Sequence, residues 1–270
     1  MVELSCVLAA GCGRRGTDGT VTRTEPPAVT KMQKSLFKAC RHASTSAAGR
    51  KVYIAGQGIV PVTRKQGFPI RKSGAQAIQL ALKDAGIDGS AVGAVYAGNM
   101  LAGMLSNQQH IATLLATEAG LAGVEAATVE ACCGSGGAAL RWGFMSLLSG
   151  IHNTVVVAGV EAMTHVDTDA ATKGLATASD WDSEGGKGET FVSLNGILMD
   201  MYLQKYNVDR ESFLSFSATA HQNAMTSPHA LLKKTVTAED YKNSKVRRDP
   251  PQPNTSPIPT PAFLYDRDPV

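Results

Sequence analysis

One helix limits what this chain can fold into. Across residues 136–149 the sequence is apolar on every side: Leu140, Trp142, Phe144, Met145, Leu147 and Leu148 spread around the helix, and Arg141 is its only charge. A surface helix keeps one polar face, so this one is expected to be buried nearly all round. That favours a layered fold with a buried central helix over a plain doubly wound domain, where each helix leaves one side in water. A β-leaning run, 126–129, enters the helix through Glu130-Ala131-Cys132-Cys133-Gly134-Ser135. A cysteine at such a junction faces the first free N–H groups of the helix, whose partial positive charge favours a thiolate. A free thiol titrates near ~8.5, and helix N-termini can lower that value. The competing reading is that both thiols are small, buried, inert hydrophobes.

The rest of the pattern is α/β. Strands are expected at 52–56, 92–97 and 154–159, the last apolar enough to be buried on both faces. Ser73-Gly74-Ala75-Gln76 has the pattern of a capping box opening a helix that stops at Gly86. Asn107 is expected to cap a second helix, stopped by Gly120. Helices are expected again at 191–206 and 211–225, and a short one from Thr237. Residues 162–189, polar and glycine-rich, read as an inserted loop. Alternating strands and helices imply a largely parallel sheet.

Composition narrows the function. The net charge is +3, but residues 1–51 carry nine Lys/Arg against Glu3, Asp18 and Glu25, so the remaining chain sums to −3. No nucleic-acid surface is expected from a mildly acidic body. No apolar run approaches the ~20 residues of a membrane span. The five cysteines form no CxxC pair and no metal-ligand spacing, a pattern of reducing compartments. Residues 11–16, Gly11-Cys12-Gly13-Arg14-Arg15-Gly16, fit G-x-G-x-x-G, but the following segment is polar with Pro26-Pro27, so a chance match or a non-native extension is the better reading. Residues 1–51 are expected to be a disordered leader. Within it, 32–51 has five basic residues, no acidic ones and many Ser/Ala, the composition of a transit peptide. Mitochondrial import is the expectation, with a peroxisomal or cytoplasmic location as alternatives, and Met32 is an alternative start. The folded domain is expected over 52–248, followed by a proline-rich, incomplete tail at 249–270.

Several segments together resemble the thiolase family. Cys133-Gly134-Ser135-Gly136 is similar to its C-x-S-G nucleophile motif, and Ala158-Gly159-Val160-Glu161-Ala162-Met163 to its G-x-E-S-M segment. Tyr53-Ile54-Ala55-Gly56 and Val95-Tyr96-Ala97-Gly98-Asn99 fit the opening strands. Glu189-Thr190-Phe191, Tyr206-Asn207-Val208-Asp209-Arg210-Glu211 and Ala220-His221-Gln222-Asn223-Ala224 resemble the sterol-carrier-type and archaeal-like branches. The resemblance implies a thiolase-like layered fold, truncated to its first half. It also implies a catalytic Cys133 that takes an acyl group from a coenzyme A thioester, with helix N–H groups helping to hold the oxyanion. Coenzyme A thioesters would be substrates, with no permanently bound cofactor and no metal, and homodimerisation is implied too. Cys132 is assigned to packing. The family's activating histidine, second cysteine and further oxyanion donors belong to its second half. His110, His152, His165, His221 and His229 lie outside those contexts and read as structural or surface residues. The expectation is therefore an acyl-CoA C-acyltransferase half with little or no turnover alone. The alternative is a non-catalytic relative that binds lipid or a partner.

Overall fold

A computed structural model of the chain describes residues 3–11, 50–63 and 69–244. Its strands are β1 Glu3–Gly11, β2 Lys51–Val60, β3 Ala94–Gly98, β4 Glu125–Val129 and β5 Thr154–Gly159, in one sheet ordered β2-β1-β5-β3-β4. β3 runs parallel to β4 and β5, while β1 is antiparallel to both β2 and β5. The helices are α1 Ile70–Ala85, α2 Ala102–Leu105, α3 Ile111–Glu118, α4 Ser135–Ser149, α5 Thr168–Ala176, α6 Phe191–Tyr206, α7 Leu214–Thr226 and α8 Ala238–Lys242. No described helix is long and apolar enough to cross a membrane.

Successive strand residues point to opposite faces, and both faces of this sheet are covered. On one side Val7, Val95 and Val156 pack with Ile78 and Leu82 of α1 and Ile111 and Leu115 of α3. On the other, Leu8, Tyr96, Val155 and Val157 pack with Ala139 and Leu147 of α4. Two-sided burial explains why 154–159 shows no polar alternation. The α/β class read from the sequence is the observed one.

Four local expectations change. First, residues 1–51 are not all leader: Glu3–Gly11 is a strand in the interior of the sheet, with Val7 and Leu8 buried. Its short apolar run finds ladder partners on both edges, which local composition could not show. Arg50 and Lys51 likewise belong to the fold, since the Arg50 guanidinium donates to the carbonyls of Leu147 and His152 and to Asn153 Oδ1, closing the end of α4. The rest of the transit segment, the glycine motif from Cys12 onward and the 249–270 tail lie outside the described residues. Second, α4 is not buried all round among the described residues. It buries its small side, Ala139, Gly143 and Ser146, together with Leu147, and leaves Leu140, Trp142 and Met145 between 39% and 51% exposed. One described sheet can cover only one side of a helix. Third, α1 starts at Ile70, not at the Ser73 box, because buried Ile70 extends the apolar stripe by a turn. Likewise Asn107 does not cap α3; Asn107 and His110 both take left-handed φ in the turn before Ile111. Fourth, the 162–189 loop contains α5, whose N-cap Asp167 accepts from the Ala170 N–H.

Burial pushes the Cys6 thiol in β1 from 9.0 up to about 11. Its folded value is raised, so its contribution is fully present below the unfolded value and is lost as pH climbs through 9 to 11. The loss amounts to about 2 kcal/mol by about pH 11. Urea unfolding midpoints across that range are expected to fall more steeply for the native chain than for Cys6→Ala.

Candidate active site

The site lies at the carboxyl edge of the parallel strands, where open α/β sheets place their ligand crevices. Gly98, the last residue of β3, pairs with Val129 of β4 on one side and with Gly159 of β5 on the other. The three segments that follow, Asn99-Met100-Leu101, Glu130 to Gly134 and Val160-Glu161-Ala162, therefore leave the sheet side by side. Backbone bonds lock their bases: the Asn99 N–H donates to the Val129 carbonyl at 3.2 Å and the Val160 N–H to the Gly98 carbonyl at 3.3 Å. Gly98 is required there by space. A Cβ on it would lie 2.6 Å from the Gly136 nitrogen and 2.7 Å from the Ser135 carbonyl oxygen, inside the first turn of α4.

The turn between β4 and α4 carries both thiols as a short 3-10 segment, Cys132–Gly134. Cys132 takes a left-handed φ of 50°, a conformation uncommon outside glycine and asparagine. Two contacts hold it: its N–H donates to Glu130 Oε1, and its carbonyl accepts from Ser135 Oγ at 2.6 Å. Ser135 is buried and its Oγ also accepts from the Ala131 N–H at 2.9 Å, so one hydroxyl staples both sides of the turn. Cys133 is exposed and lies two residues before Ser135, the first residue of α4. Among the described residues, a Cβ at Gly134, Gly136 or Gly137, flanking it, would meet nothing within 4 Å. The Cys132 thiol is held above its ordinary range, first by desolvation and then by the Glu130 carboxylate. The two adjacent thiols thus differ in setting: Cys132 sits in a left-handed turn beside Glu130, and Cys133 is exposed just before the helix.

Across the edge, Glu161 organises the neighbouring turn. Its Oε2 accepts from the backbone N–H groups of Met100 and Leu101 at 3.0 and 2.9 Å, and its Oε1 from Asn99 Nδ2 at 3.2 Å. Asn99, itself buried, donates to the Val160 carbonyl and accepts from the Ala102 N–H through Oδ1. The structure thus brings together Cys133, Gly98-Asn99 and Glu161, three segments the sequence singled out separately. The remaining matched segments do structural work. Thr190 forms the capping box of α6 with Ser193, Ser193 Oγ donates to Glu189, and Asn207 closes the helix in a left-handed turn. His152 bonds to Glu125, His165 to the Leu105 carbonyl and His221 to the Lys234 carbonyl. None of these partners is a thiol. Sequence reasoning missed the staple by Ser135 and the steric role of Gly98; the only signal for either was their position inside the C-x-S-G and G-N segments.

Replacing Ser135 by alanine removes both staple bonds and leaves the Ala131 N–H without this partner. The expected cost is about 1–2 kcal/mol of stability, with a changed alkylation rate at Cys133 but not at Cys6, read by timed iodoacetamide labelling and peptide mass mapping.

The family model described as thiolase, N-terminal domain, matches residues 52–250. An acetyl-CoA acetyltransferase of Methanothermobacter thermautotrophicus is 42% identical over 170 residues, which are 63% of this chain and 44% of that protein. One from Methanocaldococcus jannaschii is 38% identical, over 63% of this chain and 43% of the relative. One from Pseudomonas aeruginosa is 32% identical over 167 residues, 59% of this chain and 42% of that protein. The chain thus spans less than half the length of the curated relatives it matches. Among solved structures, the Ltp2-ChsH2(DUF35) aldolase superimposes with a TM-score of 0.52 at 19% identity, covering 73% of this chain and 49% of that one, a likeness of fold.

Proposed function

Because this chain belongs to the thiolase family, matching its N-terminal domain over 52–250, we propose that it supplies the nucleophile of an acyl-CoA C-acyltransferase and that Cys133 is that nucleophile. The observation that carries this reading is the convergence at one sheet edge of Cys133, exposed at a helix start, with the Gly98-Asn99 and Glu161 turns, all inside the family-matched residues.

The chemistry is covalent catalysis. Cys133 Sγ, as thiolate, adds to the carbonyl carbon of a coenzyme A thioester, and the carbonyl oxygen becomes an oxyanion. Collapse of the tetrahedral intermediate breaks the bond to the coenzyme A sulfur, which leaves as a thiolate and takes up a proton, and an acyl-Cys133 thioester remains. A second thiol or thioester carbanion then accepts the acyl group and regenerates Cys133. The family resemblance implies that N–H groups in the first turn of α4 stabilise the developing negative charge. Cys132, tied into the turn through Glu130 and Ser135, is assigned to packing. His152, His165 and His221 are bonded to Glu125, the Leu105 carbonyl and the Lys234 carbonyl, so none of these three is paired with Cys133. That arrangement supports acylation of Cys133 with little turnover.

The test is intact-mass analysis after incubation with acetyl-CoA. A single acetyl adduct mapping to Cys133 is expected, lost in Cys133→Ser and kept in Cys132→Ser. Equal acetylation of both thiols, or none on a folded chain, overturns the assignment. Clear steady-state thiolysis by this chain alone would overturn the prediction of no sustained turnover. For location, mitochondrial import remains the proposal, supported by the basic, acid-free composition of 32–51. Uptake of the full chain by isolated mitochondria, abolished by removing its basic residues, tests it.

A further inference from the structure

β1 stands apart from the rest of the sheet. The family match begins at residue 52, so β1 lies outside it, yet β1 occupies an interior position between β2 and β5. It is the one antiparallel strand among those described, with nine ladder pairs to β2 and six to β5. Residues 12–50, thirty-nine in number, separate it from β2. It is held by ladder bonds and by Val7 and Leu8, buried on opposite faces, and its connection to β2 is long. Its ladder to β2 is also interrupted, with a register shift between Val7 and Leu8 where Ala55 bulges out of β2.

The walls of this slot are anchored without β1. β2 lies backbone-to-backbone against α1: a Cβ on Gly56 would come within 2.4 Å of the Ala85 nitrogen, and one on Gly58 within 2.3 Å of the Ala77 carbonyl oxygen. The Gln57 N–H also donates to Asp84 in the last turn of α1. Arg50, at the foot of β2, is bonded to the end of α4. On the other side β5 is secured by its parallel ladder to β3. Removing β1 would leave two facing rows of unpaired N–H and C=O groups with an apolar floor and roof.

We propose that β2 and β5 form a strand-acceptor groove whose occupant, residues 3–11, is exchangeable, so that the groove takes up a second copy of that segment, extended and antiparallel to both walls. Main-chain ladders supply the affinity in this mode of recognition, and side-chain pockets on alternate faces supply the selectivity. Here those pockets are the sites of Val7 and Leu8.

The experiment uses the full chain and a biotinylated peptide of residues 3–11 carrying Cys6→Ser, so that capture cannot be a disulfide. Hydrogen exchange of the unmodified chain is measured first, and β1 amides are expected to exchange about tenfold or more faster than those of β3, through a local opening that leaves the rest folded. The peptide is then expected to be retained by the native chain and to raise the alkylation rate of the chain's own Cys6. The same peptide with Val7→Asp is expected to do neither. Exchange of β1 in step with β3, retention of neither peptide, or equal retention of both would each overturn the proposal.

Discussion

Gly98→Ala is expected to cost about 3 kcal/mol of folding stability, the upper part of the range for forcing a methyl group into a filled interior. The added carbon would sit 2.6 Å from the Gly136 nitrogen and from the Ser135 carbonyl carbon. Both are backbone atoms of the turn that starts α4, so no side-chain rotation can relieve the contact. Either β3 retreats from its ladders with β4 and β5 or α4 lifts off the sheet, and in both cases Cys133 moves. Gly136→Ala is the control. Its Cβ would meet nothing within 4 Å, and alanine is favoured over glycine in a helix by up to about 1 kcal/mol, so no loss of stability is expected. Urea unfolding of the two variants beside the native chain separates them, and the acetyl adduct on Cys133 should fall for Gly98→Ala. Equal stability of all three would mean that the approach of β3 to α4 is looser than described.

The same contact shows what could be read from the sequence alone. The junction of 126–129, two thiols and an apolar helix was legible because each part has a local signature: β-leaning residues, a small-residue turn and an uncharged stretch of helical length. Strand 154–159 and helix 191–206 were legible to the residue for the same reason. β1 was not. Nine residues within a basic stretch have no helical or alternating pattern strong enough to declare a strand, and their burial depends on walls at 51–60 and 154–159 that are far away in sequence. The face of α4 was misread for a related reason. Hydrophobicity on all sides describes what a helix could bury, whereas the described residues cover only the side lined by Ala139, Gly143 and Ser146.

At the site, residue types were legible and their purposes were not. The pair Cys132-Cys133 was marked by its place before a helix, and only the resemblance to the C-x-S-G motif singled out Cys133. Ser135 and Gly98 entered only as members of motifs, because a staple and a close approach are relations between segments that sequence keeps apart. The polar pair across the edge goes further, since nothing local marks Glu161 as the acceptor for two N–H groups sixty residues away.

Glu161→Ala is expected to be as damaging as Gly98→Ala, about 3 kcal/mol, by a different route. Its carboxylate accepts from the N–H groups of Met100 and Leu101 and from the Asn99 amide. Truncation would leave those donors at the end of a central strand without their acceptor, at about 1–3 kcal/mol for each group left unsatisfied away from water. Partial exposure of the site lets water recover part of that loss. Glu161→Gln keeps one carbonyl oxygen but turns an NH2 toward donors, so it should recover less than half of the loss. Glu161→Asp keeps both oxygens but withdraws them by one methylene, and is expected to fall between the native chain and Glu161→Gln. The order native, Asp, Gln, Ala in urea midpoints is the signature of an acceptor role. A role in packing alone would instead make Gln, the closest in shape, the mildest change. Because the Asn99-Met100-Leu101 turn emerges beside the cysteine turn, the yield of acetyl-Cys133 should fall in the same order. Unchanged acylation in a destabilised Glu161→Ala chain would show that this turn supports the fold without shaping the ground that Cys133 attacks from.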